Sequence, residues 1–290
     1  MIDTEYLKQL DRFNLMMKKR VNTRYQGSRA SRNVGAGLTF EDYKEYVPGD
    51  DFRKIDWKVY GRTDKFFIRR YEEERNLTVH VVLDASASMD FGTNNTTKFE
   101  FGAKLGIGFA YMAMHNNEKF EFSTFSKNLD IFKPRKGLNQ LIGIIEHLNK
   151  TKPVGNTNFH TSVMQYKSVV RTKSMVVFIS DFLFPIPEIR ETLLRFKKSE
   201  VVVIQVLDPV EREFDLQGDM ILKDAESQDK MRTFVSNRLK QEYRTRLKEH
   251  VNAIAEVCDN MGAPFLSVGT DTQVFDAFYR ILSGDTDKKS

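Results

Sequence analysis

Three short stretches of the 290-residue chain place oxygen-bearing side chains where an α/β fold gathers its ligands. Asp84-Ala85-Ser86-Ala87-Ser88 directly follows a Val-rich run, Leu77 to Leu83. Ser180-Asp181 directly follows a second apolar run, Ser174 to Ile179. Between them lies Gly155-Asn156-Thr157-Asn158, a loop that opens a helix. Asp84 and Asp181 offer hard anionic oxygens, and Ser86, Ser88 and Thr157 offer neutral hydroxyl oxygens. A set without thiol or imidazole selects Mg²⁺, Mn²⁺ or Ca²⁺ over zinc. Hydroxyl ligands neutralise little charge, so a cation held this way stays electrophilic and takes an outside carboxylate to complete its shell. That chemistry suits adhesion to a partner better than catalysis. The alternative is that Ser86 and Ser88 only cap the loop and Asp181 only caps a helix.

Asp-x-Ser-x-Ser at a strand end, then Gly-x-Thr, then a strand ending in Asp resembles the metal-ion-dependent adhesion site of von Willebrand factor A domains. The resemblance implies that Ser86, Ser88 and Thr157 contact the metal or its first-shell waters, and that Asp84 and Asp181 act directly or through water. A second resemblance lies upstream. Glu41-Asp42-Tyr43-Lys44-Glu45-Tyr46-Val47-Pro48-Gly49-Asp50-Asp51, Ile55-Asp56-Trp57-Lys58, Gly61-Arg62-Thr63 and Tyr71-Glu72-Glu73-Glu74 are similar to the signature of the domain of unknown function 58 family. There the block precedes a von Willebrand A-like domain. Lys44 stands where Arg is usual, and Gly61 where Ala is usual. The resemblance implies a non-enzymatic adaptor that works beside a MoxR-type AAA+ ATPase, binding the ATPase, an acidic client, or both during assembly or remodelling. Asn158, His160, Arg62 and Trp57 are candidate partner-binding residues.

Two other function classes compete. A nucleophilic Asp84 with Mg²⁺ nearby could accept a phosphoryl group, but such enzymes usually need a second acid two residues on, and Ser86 stands there. The basic N-terminal residues Arg12, Lys18, Lys19, Arg20, Arg24, Arg29 and Arg32 could contact phosphate. They lack a helix-turn-helix or aromatic-interleaved motif, so no nucleic-acid partner is expected. No Gly-x-x-x-x-Gly-Lys-Ser/Thr loop occurs, which excludes a P-loop ATPase. The five histidines form no ligand spacing. His160, close to Thr157, either lines the site or starts a helix facing solvent. Asp50, Asp51 and Asp56 could pair with Arg53, Lys58 or Arg62, and Trp57 is expected to anchor the upstream block on the main domain.

Composition fits a globular protein with a substantial core, at 40% hydrophobic and 29% charged residues with 23 Phe. A net charge of +5 permits an acidic partner without requiring one. The single cysteine, Cys258, rules out a disulfide within the chain and reads as a core thiol. No signal peptide and no run long enough to span a bilayer are apparent, so a cytoplasmic location is expected.

The elements that must position the site follow from periodicity. Leu7, Leu10, Phe13, Leu15 and Met17 suggest a first helix, and Gln26 to Gly37 a loop. Strands are expected at Lys65–Tyr71, Leu77–Leu83, Lys119–Phe125, Asn128–Lys133, Ser174–Ser180, Glu200–Leu207 and Pro264–Val268. Helices are expected at Phe99–His115, Leu138–Leu148, Phe159–Arg171, Pro187–Lys198, from Val235 to Cys258, and at Thr272–Leu282. Gly102 and Gly106, one turn apart, permit close packing of a helix on a sheet. A hairpin insertion at about 219–234 has a polar tip at Glu226 to Asp229. Alternating strands and helices imply a doubly wound, mainly parallel sheet with helices on both faces, of von Willebrand factor A-like α/β class. The expected organisation is an N-terminal segment 1–75 packed on the main domain, the main domain 76–283, and a frayed tail 284–290. Such a sheet binds ligands beyond the carboxyl ends of its strands, at the switch point.

Overall fold

A computed structural model describes residues 2, 4–20, 39–72, 77–93, 96–126, 129–155, 159–167, 170, 174–226 and 229–285. The expected loop at 26–37, Asn156, Thr157, Asn158, the centre of the hairpin tip and the last five residues lie outside them. In chain order the elements are α1 (Thr4–Arg20), β1 (Thr39–Glu45), α2 (Trp57–Thr63), β2 (Phe67–Glu72), β3 (Thr78–Asp84), α3 (Lys98–His115), β4 (Lys119–Phe125), β5 (Leu129–Arg135), α4 (Leu138–Lys150), α5 (Phe159–Lys167), β6 (Ser174–Ser180), α6 (Ile186–Leu194), β7 (Glu200–Leu207), α7 (Pro209–Glu213), β8 (Gly218–Lys223), β9 (Lys230–Val235), α8 (Asn237–Met261), β10 (Phe265–Gly269) and α9 (Val274–Ser283). They form two compact units, Met1–Lys19 with Leu77–Ser290, and Arg20–Asn76.

The larger unit is built on a six-stranded sheet of order β10-β7-β6-β3-β4-β5. All its pairings are parallel except β4 with β5. Starting from β3, the chain moves outward through β4 and β5, then returns to the other side of β3 and continues through β6, β7 and β10. The sheet is therefore doubly wound, with its switch point between β3 and β6. Every residue of β3 and of β6 is buried, as expected for central strands covered on both faces. Alternation sorts their side chains. Val82, Val176 and Phe178 join Phe159, Val163, Ile189, Leu193, Ile254 and Cys258 of α5, α6 and α8 in one core cluster. On the opposite face, Val81, Leu83, Phe122 and Ile179 meet α3. Glycines allow that approach. A methyl group on Gly106 would lie 2.8 Å from the Phe122 ring and 2.9 Å from Val81, and one on Gly102 would lie 2.9 Å from Leu83.

The first helix belongs to this unit and not to the upstream segment with which the sequence groups it. Its apolar stripe explains why: Tyr6 and Phe13 pack on Phe275, Phe13 also meets Phe278, and the Tyr6 hydroxyl donates to the Lys104 carbonyl at 2.7 Å. The hairpin forms as β8 and β9, paired antiparallel. Ser236 caps α8, and Gly262, in the left-handed region at φ 66°, ends it.

The smaller unit pairs β1 with β2 antiparallel and carries α2. Its acids take local partners. Asp50 pairs with Lys44 at 2.8 Å. Asp51 accepts from the Arg53 amide, and Asp56 caps α2 through the amides of Lys58 and Val59. Short acids directly before a turn or helix find backbone donors closer than distant guanidinium groups. Trp57 stands edge-on to Tyr60 and Phe66 within this unit and is 61% exposed.

Candidate functional site at the switch point

The loop after β3 folds over the carboxyl end of the sheet. Its backbone is held on two sides: the Ala85 amide donates to the Phe125 carbonyl at 2.8 Å, and the Ala87 amide to the Gly155 carbonyl at 3.0 Å. The Val154 amide returns a bond to the Ala85 carbonyl at 3.1 Å. The segment after α4 that leads to Gly155 is thus docked on the Asp84–Ser88 segment. Ser86 opens a single 3₁₀ turn, Ala87–Asp90, and its hydroxyl lies 3.0 Å from that of Ser88.

Asp84 and Ser86 are fully inaccessible, and Asp181 is nearly so. One Asp84 carboxylate oxygen accepts from the Ser86 amide at 2.9 Å, the other from the Ser180 hydroxyl at 2.7 Å. The Ser180 hydroxyl itself accepts from the Phe182 amide at 3.1 Å. Residues 181–183 make a sharp exit from β6, with Phe182 in the left-handed region at φ 51°, which costs strain in a non-glycine residue. The turn is secured from outside: His250 donates from Nε2 to the Phe182 carbonyl at 2.7 Å, and Gln205 from Nε2 to the Asp181 carbonyl at 2.8 Å. Phe182 is completely buried.

The electrostatics are those of too much negative charge in too little water. Burial, then repulsion from Asp181, push the Asp84 carboxyl up to about 7, against the bonds from Ser180 and Ser86. Asp181 has a cationic partner that the sequence does not betray. Lys98, the first residue of α3, is wholly inaccessible, and its ammonium lies 2.9 Å from Asp181 Oδ2 and 2.7 Å from Glu211 Oε1. Burial pulls this ammonium down, but Asp181 and Glu211 outweigh it and hold it above the ordinary lysine value. Burial raises the Glu211 carboxyl above the usual range, against the attraction of Lys98. Glu211 also accepts from the Asp208 amide through Oε2, completing a reciprocal cap on α7. The Asp208-x-x-Glu211 spacing is a readable capping signal. Lys98 has no comparable signal, because a lysine at a helix start looks like a solvated one.

The structure brings Asp84, Ser86, Ser88 and Asp181 together. Thr157 and Asn158 lie outside the described residues, although Gly155 before them touches the Ala87 amide. His160 is half-buried at the start of α5 and engaged with α6: its amide donates to Glu188 at 3.0 Å, and Nδ1 lies 3.2 Å from the Thr192 hydroxyl. Arg62 and Trp57 belong to α2 of the smaller unit. A cleft of about 480 Å³ opens at Ser88 and Asp181 and runs beside Phe214, Tyr243, Lys223 and Asp224, the last two at the hairpin. Among the described residues, no group of three or more His, Cys, Asp or Glu side chains is arranged to hold a metal ion. A cation here would rest on two acids and on hydroxyl oxygens. The donor chemistry fits a hard divalent ion: two buried carboxylates with a deficit of positive charge, beside a pair of hydroxyls within 3.0 Å of each other.

Known proteins place the chain in context. An uncharacterized protein of Mycobacterium tuberculosis is 26% identical over 261 residues, spanning 89% of this chain and 82% of that one. Among solved structures, the conserved hypothetical protein BatB from Bacteroides thetaiotaomicron aligns with 72% of this chain and 98% of its own, at 14% identity and a TM-score of 0.47. A manganese-loaded TRAP protein of Plasmodium vivax aligns with 44% of this chain and 56% of its own, at 14% identity and a TM-score of 0.33. The model of the family described as protein of unknown function DUF58 matches residues 42–253, most of the smaller unit's described residues and the sheet through α8, and the chain belongs to that family.

Proposed function

We propose that this protein is a non-enzymatic, protein-binding adaptor that grips a carboxylate of its partner through a divalent cation, Mg²⁺ or else Mn²⁺ or Ca²⁺. The observation that carries the reading is the convergence of Asp84, Ser86, Ser88 and Asp181 at the switch point of the sheet. When bound, the cation supplies an electrophilic coordination position for an outside oxygen. Ser86 and Ser88 offer it hydroxyl oxygens, with Thr157 as the third by the motif. Asp84 and Asp181 neutralise it from beneath. The tight exit at Phe182, clamped by His250 and Gln205, keeps Asp181 from moving when the ion arrives or leaves.

Two features weigh against Asp84 as a phosphoryl acceptor. Both its oxygens are engaged by Ser86 and Ser180, and the carboxylate is completely inaccessible, so a phosphorus atom has no approach to it. The MoxR-type AAA+ ATPase suggested by the upstream signature is the proposed companion. No helix among the described residues is long and apolar enough to cross a membrane, and the cytoplasm is the proposed location.

The test is binding of Mn²⁺ to the purified chain by electron paramagnetic resonance, beside Ser86→Ala and Asp181→Ala variants with native circular dichroism. Capture of a purified MoxR-type ATPase from the same organism, in Mg²⁺ and in EDTA, follows. Binding by the wild type that both variants lose, with capture dependent on Mg²⁺ and on Ser86, is the expected result. Mn²⁺ binding unaffected by either substitution refutes the site. Hydrolysis of a phosphate ester that Asp84→Asn abolishes refutes the adaptor reading.

A further inference from the structure

Lys98 is an unusual neighbour for a cation site. Its side chain is 0% exposed, and its ammonium touches one of the two acids on which the site depends. The ammonium is held rigidly. Glu211 binds it from α7, and Glu211 is fixed in turn by the Asp208 amide at 3.0 Å. Asp208 is fixed by the Thr93 amide and hydroxyl, both at 2.9 Å, and by the Thr270 hydroxyl at 3.3 Å. Burying a lysine is costly unless its charge is matched. Here it is matched by two carboxylates, one of which belongs to the candidate site.

A residue with this placement has one of two effects on a divalent ion. It could orient Asp181 for the ion, so that its loss weakens binding. Or it could oppose the ion, because a fixed positive charge beside the site repels a second cation and occupies one oxygen of Asp181. The geometry favours opposition. Asp181 is already oriented without Lys98: its carbonyl is held by Gln205, its Oδ1 accepts from the Leu183 amide at 3.4 Å, and the turn at Phe182 is clamped by His250. Lys98 and Asp181 are both buried, so charge at this pair is screened less than at the surface.

Resting on the cation-site reading above, we propose that Lys98 is a built-in cationic competitor: it neutralises Asp181 while the site is empty and keeps the affinity for the divalent ion low. Glu211 counters it by sharing the ammonium. The consequence for function is reversible loading of the ion, with a partner carboxylate adding the negative charge that tips the balance toward a filled site.

Mn²⁺ titration monitored by electron paramagnetic resonance tests this on the full chain, with Lys98→Met, Glu211→Gln, the double variant and Ser86→Ala. Lys98→Met is expected to bind Mn²⁺ at least tenfold more tightly than the wild type, and Glu211→Gln severalfold more weakly. The Glu211→Gln effect should shrink in the Lys98→Met background. A misfolded protein does not gain affinity, so tightening cannot come from a merely structural role. Ser86-dependent binding by the wild type with equal or weaker binding by Lys98→Met overturns the proposal and leaves the cation site standing. Should Lys98→Met not fold, unchanged or tighter binding by Glu211→Gln overturns it. No Ser86-dependent binding in any of these chains removes both the site and the competitor.

Discussion

Replacing Asp84 with Asn should make the ion-free protein more stable at pH 8, although Asp84 lies at the heart of the candidate site. The carboxyl group is raised from 3.8 to about 7 by burial and by Asp181. At ~1.4 kcal/mol per pH unit, that shift corresponds to roughly 4 kcal/mol of destabilisation once the group is ionised. The sign follows from proton binding. Between about pH 4 and 7 the folded state holds a proton at Asp84 that the unfolded state has released, so stability falls as pH rises through that window and the full penalty is present above it. Asn removes the ionisation and keeps the shape. It still accepts from the Ser86 amide, and its NH₂ can donate to the Ser180 hydroxyl, at a cost of about 1 kcal/mol for the charged bond exchanged. The net expectation in EDTA is a gain of ~2–3 kcal/mol for Asp84→Asn at pH 8, vanishing near pH 4. Urea denaturation at several pH values, followed by circular dichroism, measures it. The difference between the two proteins isolates Asp84 from Glu211, whose raised carboxyl contributes in the same direction. Saturating Mg²⁺, which binds the ionised form, should raise the wild type and leave Asp84→Asn unmoved. A wild type as stable as Asp84→Asn across pH 4–8 in EDTA would refute the claim that the site carries uncompensated charge.

Gly106→Ala should destabilise the fold by about 1–2 kcal/mol in thermal or urea unfolding, because a methyl 2.8 Å from the Phe122 ring overpacks the helix–sheet contact by more than the ~1 kcal/mol gained in helix propensity. Gly143→Ala, in α4 with nothing within 4 Å of the new methyl, should instead stabilise by up to ~1 kcal/mol in the same assay. Asp208→Ala leaves the amides of Thr93 and Val210 and the Thr93 hydroxyl without their acceptor and should cost about 3 kcal/mol in urea unfolding. Cys258, whose thiol is pushed up to about 12 by burial and by Asp259, should react with a disulfide reagent only after denaturation, and prompt labelling of the native chain at pH 8 would contradict its place in the core.

The central strands were legible because burial on both faces leaves a continuous apolar run. Lys119–Phe125, Ser174–Ser180 and Glu200–Leu207 form where their residues predict, and the mainly parallel sheet follows from the alternation with helices. Elements without a long apolar run were not legible. β1 reads Thr-Phe-Glu-Asp-Tyr-Lys-Glu and, among the described residues, pairs only with β2. α2 spans seven residues between the Asp56 cap and Asp64 in the left-handed region, too short for periodicity to register. α6 stops at Leu194, and the residues after it continue as turns, so the expected helix to Lys198 was too long. Charge partners were the least legible. Glu242 has basic residues four positions away on both sides, Arg238 and Arg246, and pairs with Arg238. Of the candidate site, the acids and serines were visible as strand-end residues. Lys98 and Glu211 were not, because a charge becomes a buried one only when the fold closes over it.

The sheet ends three neighbouring strands with buried acids: Asp84 after β3, Asp181 after β6 and Asp208 after β7. Each is compensated differently. Asp208 collects hydroxyl and amide donors from Thr93, Val210 and Thr270, which makes it a structural brace that needs no ion. Asp181 has the Lys98 ammonium. Asp84, among the described residues, has only the neutral donors of Ser86 and Ser180, and burial, then Asp181, push its carboxyl up to about 7. Asp84 thus lacks a cationic partner among the described residues, and it lies beside Ser86, whose hydroxyl meets that of Ser88. A divalent ion held at the neighbouring hydroxyls would act on the buried Asp84 through its charge, favouring the ionised carboxylate. An ion at Asp208 would displace hydrogen bonds that already satisfy it. On the proposal above, the placement of Lys98 at Asp181 rather than at Asp84 matters: an ammonium on Asp84 would compete with the ion directly, whereas on the neighbouring strand it leaves Asp84 without a cationic partner and tunes the ion's affinity.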